Sequence, residues 1–198
     1  MKIIDVFLFF LILSSGCIFS GCFSFSTLQT AETLPPGRIE AGVGYDGMVE
    51  VGGRVGVFSS VDAGVKYCTL YPSRLPSRLI FIDGKYQLWN SGIDGSFDIG
   101  YSIYHKNDII TYGYYPMLLV GQKHWYVGIK GNIISTSGSI DLFGNNIPFS
   151  GSGYFATSVV AGGMIGTDNI KLLIEVNTFI TRDSHTYYIP ALGLYLGF

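Results

Sequence analysis

The chain has 198 residues, enough for one domain, with 12 Lys+Arg against 14 Asp+Glu and a net charge of -2 at pH 7, which excludes an electrostatic case for nucleic acid. Charged residues are 13%, where a water-soluble domain carries roughly 25%, and the 27 glycines nearly double the usual share of about 7%. That is too little charge to coat a solvated surface, yet past the first twenty-odd residues no apolar run has the length of a membrane helix. What remains is alternation.

At the amino end Lys2 precedes the apolar stretch Val6 to Leu13, which has the length of a signal-peptide core. Two cysteines follow, in Ser14-Ser15-Gly16-Cys17 and Phe19-Ser20-Gly21-Cys22. Each resembles the lipobox of bacterial lipoproteins, in which small residues precede a Cys that becomes the lipidated first residue. Both depart from it at the third place before Cys, where Ser14 or Phe19 stands for the usual aliphatic. Cys22 is the expected site of lipidation because the polar linker starts there, and Cys17 is the alternative. The resemblance implies a lipoprotein signal peptide over 1–21, a lipidated linker over 22–37 and fatty acid such as palmitate on the anchor. Ordinary secretory cleavage without lipid is the plainer reading. Asp follows neither Cys, so the inner-membrane retention signal of enterobacterial lipoproteins is absent. Ser, Thr and Gln lead to Leu34-Pro35-Pro36-Gly37, which predicts a flexible tether stopped by prolines before the first strand. Besides the anchor only Cys68 would remain, which leaves no intramolecular disulfide and reads as a small apolar filler.

From Ile39 onward strands follow at even spacing with turn signals between them. Ile39 to Tyr45 alternates, and Asp46-Gly47 is a hairpin turn into Val49 to Val57. Ser59-Ser60 turns into Val61 to Tyr67, the loop Pro72 to Arg78 precedes Ile80 to Leu88, and Asn90-Ser91-Gly92 leads to Phe97 to Ile103. His105 to Asp108 turns into Ile109 to Leu119, where Pro116 removes a backbone donor and suits a strand end or bulge. Trp125 to Ile133 follows, then the longest expected loop, Ser135 to Gly153, rich in Gly, Ser and Asn. The last strands are Tyr154 to Ile165, Ile170 to Ile180 and the terminal run from Tyr187.

That terminal run puts Tyr188, Leu192, Leu194, Leu196 and Phe198 on one face and Ala191, Gly193, Tyr195 and Gly197 on the other. It resembles the closing strand of bacterial outer-membrane β-barrels, which ends in an aromatic residue read by the assembly machinery. The resemblance implies an all-β, antiparallel, up-and-down transmembrane barrel over 38–198, in the outer membrane of a Gram-negative-type bacterium, with Phe198 and Tyr195 as the assembly signal. Ten strands are expected, with eight as the alternative; the number is even in bacterial single-chain barrels. The partners implied are outer-membrane lipid and the assembly machinery; a partner for the outward loops is unknown.

The charge-bearing faces also hold most of the glycines, which suits a crowded interior. The inward polar set is Glu40, Glu50, Arg54, Asp62, Lys66, Asp83, Lys85, Asp98, Lys130, Lys171 and Glu175. Acids and bases nearly balance, which predicts an interior ion-pair network; a narrow polar pore is the functional alternative, although a one-signed ring is not visible. The sequence offers no catalytic motif, no cofactor fingerprint and no metal-ligand spacing. The enzymatic alternative is a lipid-modifying outer-membrane enzyme using an outer-rim His, with His105 and with His185 beside Asp183 and Ser184 as candidates. A soluble periplasmic ligand-binding barrel is the other alternative. The leading expectation is a non-enzymatic surface or structural barrel.

Overall fold

The computed structural model describes residues 28–69, 78–106, 109–142, 145–181 and 186–198. Ten antiparallel strands close into one barrel: β1 (Ile39–Tyr45), β2 (Val49–Phe58), β3 (Val61–Thr69), β4 (Arg78–Asn90), β5 (Asp94–Lys106), β6 (Ile109–Gln122), β7 (Trp125–Leu142), β8 (Asn145–Gly166), β9 (Ile170–Thr181) and β10 (Thr186–Gly197). Each strand pairs with its sequence neighbours, and β1 with β10 from Glu40↔Gly197 to Tyr45↔Leu192. The strand count is ten and not eight. Closure leaves no sheet edge through the wall, so every wall strand finds its backbone partners within the protein.

One rim, called here the near rim, carries Phe198, the entry to β1 and the short turns at 59–60, 91–93, 123–124 and 167–169. The other connections lie at the far rim. Phe198 N donates to Ile39 O at 2.8 Å and Ile39 N to Phe198 O at 3.2 Å, so the last residue supplies the final rungs of the closing seam.

Outside, the wall is apolar. Val43, Ile82, Ile129 and Leu194 are exposed at 52%, 57%, 50% and 46%, in a middle band of aliphatic side chains. Aromatics flank that band: Phe58, Tyr86, Trp89, Trp125 and Phe198 toward the near rim, Tyr45, Tyr67, Tyr187 and Tyr188 toward the far one. Inside, alternate positions of the same strands bury Glu50, Asp62, Asp98, Ser158, Glu175 and Asn177 almost completely. This polarity is the reverse of a water-soluble barrel and matches one solvated by hydrocarbon.

Two sequence expectations are corrected. Ser135 to Gly153 is not a loop: β7 and β8 pair through it from Ser135↔Ser152 to Leu142↔Asn145. Pairing with the outer neighbours ends at Ile110↔Ser137 and Ala156↔Thr181, so among the described residues the hairpin continues past the barrel as a two-stranded ribbon. Its Gly, Ser, Asn and Pro are the residues of turns, which is why the stretch reads as loop. The second correction concerns the tether. From Leu28 to Leu34 the chain lies inside the barrel, with Leu28 and Ala31 at 2% and 1% exposure. Pro116 sits mid-strand, opposite Ile99, where the β6–β7 register passes from Tyr114↔Ile133 to Met117↔Lys130 without paired residues between. Its missing donor falls in that interruption.

Candidate functional site

The lumen is where the polar residues converge. Period-two alternation sends Glu40 (β1), Glu50 and Arg54 (β2), Asp62 and Lys66 (β3), Asp83 and Lys85 (β4), Asp98 (β5), Lys130 (β7), and Lys171 and Glu175 (β9) to the inner face. Arg54 forms ion pairs with Asp62 and with Asp83, and Lys85 lies 3.3 Å from Asp62. Lys66 reaches Glu50 at 3.7 Å, and Lys171 pairs with Glu40 nearer the rim. Lys130 lies over the Tyr115 ring, 5.1 Å from its centroid. A charge taken out of water costs several kcal/mol unless paired and hydrogen-bonded, so charges this buried are consistent only as a network.

Threaded into this network is the segment before β1, Leu28 to Pro36. It enters at the near rim, where Gly37 N donates to Gly56 O at 2.8 Å and Arg38 N to Pro35 O at 3.0 Å. A Cβ at Gly56 would overlap Pro35 O, so glycine there lets the incoming backbone lie on the wall. Further in, Leu34 N donates to Asp62 Oδ2 at 3.0 Å. Thr33 N and Thr33 Oγ1 both donate to Gln87 Oε1, at 2.9 and 2.7 Å. Lys85 Nζ donates to Glu32 O at 2.6 Å and to Thr30 O at 3.0 Å. Gln29 Nε2 donates to Asp98 Oδ2. At the inner end Leu28 N donates to Glu175 Oε2 at 2.9 Å, an oxygen that also accepts from Tyr126 Oη at 2.7 Å. The apolar side chains of the segment, Leu28 and Ala31, join an interior cluster with Met117, Leu119, Tyr126, Val160, Met164, Leu173, Ala191 and Tyr195.

Between segment and wall the cavities among the described residues are about 10 to 20 Å³, the room of roughly one water each. A basin of about 580 Å³ opens at the near rim, bordered by Glu32, Arg38, Lys123, His124, Asp168 and Lys171. Its cations have partners: Arg38 Nη2 donates to Asp168 O and Asn169 Oδ1, Lys123 meets Asp168 at 3.2 Å, and Lys171 holds Glu40. Lys123, chiefly by that hydrogen bond, holds the Asp168 carboxyl below its ordinary value.

Tyr195 is inward and buried, whereas Phe198 is outward and 73% exposed. Cys68 is fully buried, with Sγ 3.9 Å from Glu50 Oε2. His105 ends β5 near the far rim and His124 lies in a near-rim turn, so the two do not converge. His185, Asp183 and Ser184 lie outside the described residues, as do Cys17, Cys22 and most of the loop 72–78. Among the described residues no group of three or more His, Cys, Asp or Glu is arranged to hold a metal. Sequence reading left Gln87 out of the inward polar set and missed Tyr126, Asn177 and the whole inserted segment. Gln87 alone was visible, sharing the Asp83 and Lys85 face.

Solved structures similar to the chain include the following three. The N-terminal β-barrel domain of Pseudomonas aeruginosa OprF matches at 11% identity, over 81% of this chain and 96% of that one, with a TM-score of 0.36. The KdgM porin matches at 12% identity, over 81% and 99%, with a TM-score of 0.40. The translocator domain of the autotransporter NalP from Neisseria meningitidis matches at 11% identity, over 97% and 94%, with a TM-score of 0.33. No protein-family model matches the chain, and no curated protein is similar to it.

Proposed function

We propose that this is an outer-membrane β-barrel lipoprotein of the bacterial cell surface, acting through its architecture and its projecting ribbon and not through catalysis. The observation that carries the reading is the polarity of the wall: an aliphatic band between aromatic flanks outside, paired charges inside. In water such a wall would expose far more contiguous apolar surface than a soluble monomer tolerates; in a bilayer it is the solvated face. The near rim, with its tight turns and the chain end, is then periplasmic, and the β7–β8 ribbon projects outward as the surface for a partner still to be identified.

The lipid anchor rests on the Ser20-Gly21-Cys22 setting, with Cys17 as the alternative. The decisive experiment combines membrane fractionation with metabolic labelling by a fatty-acid analogue. The protein is expected in the outer-membrane fraction, heat-modifiable on gels and labelled, with label lost in Cys22→Ala. Label lost only in Cys17→Ala would move the mature start upstream, and recovery as soluble periplasmic protein would overturn the membrane reading.

A further inference from the structure

We infer that the outward face of strands β3 to β6 at the far rim is a docking surface for lipid A, the phosphorylated glycolipid of the outer leaflet, with Arg78 and His105 taking its phosphate. The inference rests on the membrane reading above and adds to it a specific lipid and the residues that meet it. Alternation turns Arg78 and His105 outward: their neighbours Leu79 and Tyr104 are buried inside, while both of them are exposed. The two are direct register partners across β4 and β5, and Thr69 of β3 stands opposite Arg78 on its other side. Among the described residues they are the only Asp, Glu, Lys, Arg or His on the outward face of the ten wall strands. Neither side chain has a hydrogen bond or ion pair among the described residues. Two donors thus stand side by side, free to take an anion, on a wall that otherwise carries no charge outward.

The level of the pair matches a headgroup. Ile82 lies in the middle of the aliphatic band, and Arg78 is four residues farther along β4. At about 3.3 Å per residue and a strand tilt of about 40°, the pair stands about 10 Å above mid-band, against about 12 Å for half of an apolar band about 25 Å tall. Their side chains therefore reach phosphate. A guanidinium offers a two-pronged fork to phosphate oxygens, and an imidazole N–H donates whether or not the ring is charged. Toward the membrane centre the same strands are apolar. Tyr67, Ile80, Ile103 and Tyr112 form the next outward row, and Tyr101 lies against Tyr112 and Tyr114 with ring centroids 6.1 and 4.9 Å apart. Four strands about 4.8 Å apart make this face about 15 Å wide. That is room for several acyl chains side by side under one phosphorylated headgroup, which is the build of lipid A. Contact with water alone requires neither that the two donors be neighbours nor that stacked tyrosines lie beneath them.

The test uses the full-length protein, folded in detergent free of native lipid, and purified lipid A. Native mass spectrometry is expected to show lipid A retained on the folded parent, and chemically dephosphorylated lipid A to be held about tenfold less well or worse. The double variant Arg78→Gln, His105→Gln is expected to lose the same factor for lipid A and to bind the dephosphorylated form as the parent does. Lipid A held equally by variant and parent would overturn the inference. So would equal retention of the two forms by the parent, a comparison that needs no substitution. Phosphatidylglycerol held as tightly as lipid A would overturn it as well, making the pair a general anchor for anionic headgroups. Heat-modifiable, detergent-dependent protein that retains no lipid A would sink the inference and leave the membrane reading standing. Protein that folds as a monomer in plain buffer would sink both.

Discussion

Asp62 Oδ2 accepts the Leu34 amide at 3.0 Å while standing 3.3 Å from the Lys85 ammonium, so one carboxylate joins the wall to the segment that fills it. The other oxygen of Asp62 takes Arg54. Losing this carboxylate leaves two buried cations short of a counter-charge. Asp62→Ala is expected to destabilise the folded barrel by about 3 to 5 kcal/mol, read as a lower urea midpoint in lipid vesicles. A loss no larger than that of Lys171→Ala, whose pair with Glu40 lies nearer the rim, would contradict the central place given to Asp62.

The rim pair Lys123–Asp168 gives a pH dependence whose sign follows from the lowered Asp168 carboxyl. A carboxyl depressed in the folded state stabilises above its unfolded value, near pH 4, and the contribution disappears as pH falls through the folded value. Parent and Asp168→Asn are expected to differ slightly in urea midpoint at pH 7 and to converge at lower pH. The difference is small because both side chains are mostly solvated, and added salt reduces it further. A gap that widened on acidification would refute this account of the pair.

Phe198 carries two separable roles. Its backbone makes the last two rungs with Ile39, while its exposed ring stands where the assembly signal is expected. Phe198→Ala keeps the rungs and removes the ring; deletion removes both. Both variants are expected to lower the amount in the outer membrane, and only the deletion to lower the urea midpoint of protein refolded in vitro. Undiminished outer-membrane levels for both would refute the assembly role.

Beyond Ser137 and before Ala156 the β7–β8 ribbon has no barrel neighbour among the described residues. Deleting Asp141 to Phe149 is therefore expected to preserve heat-modifiable migration and the urea midpoint of the barrel. Loss of the folded gel form would make the ribbon a structural part of the wall.

What the sequence made legible follows from which faces the chain buries. Strands such as Val61–Thr69 alternate because one face meets the lumen network and the other the apolar exterior, so period two put Asp62 and Lys66 on one face, and the glycines crowding the charged faces, with the terminal-strand resemblance, turned it inward. The ribbon escaped because the Gly, Ser, Asn and Pro that crowd it are turn-forming residues and outweigh its short alternation. Leu28 to Leu34 escaped for a different reason: much of its hold is on backbone atoms, which are common to every residue and leave no trace in composition, and its buried Leu28 and Ala31 follow no strand alternation. The sequence shows Gln, Thr and Glu there; that Lys85 and Gln87 were waiting for their peptide groups appears only in three dimensions.

The polarity of the wall is tested most directly by placing nitroxide labels through Ile82→Cys, Ile129→Cys and Leu194→Cys, one at a time, in a chain whose Cys17, Cys22 and Cys68 are replaced by Ala and which is folded into phospholipid vesicles. All three positions point outward from the middle band. Collisions with oxygen, which concentrates in hydrocarbon, are expected to dominate over collisions with a water-soluble nickel chelate at each of the three. Nickel-dominated relaxation at all three positions would mean that the aliphatic band faces water, and would contradict the membrane barrel.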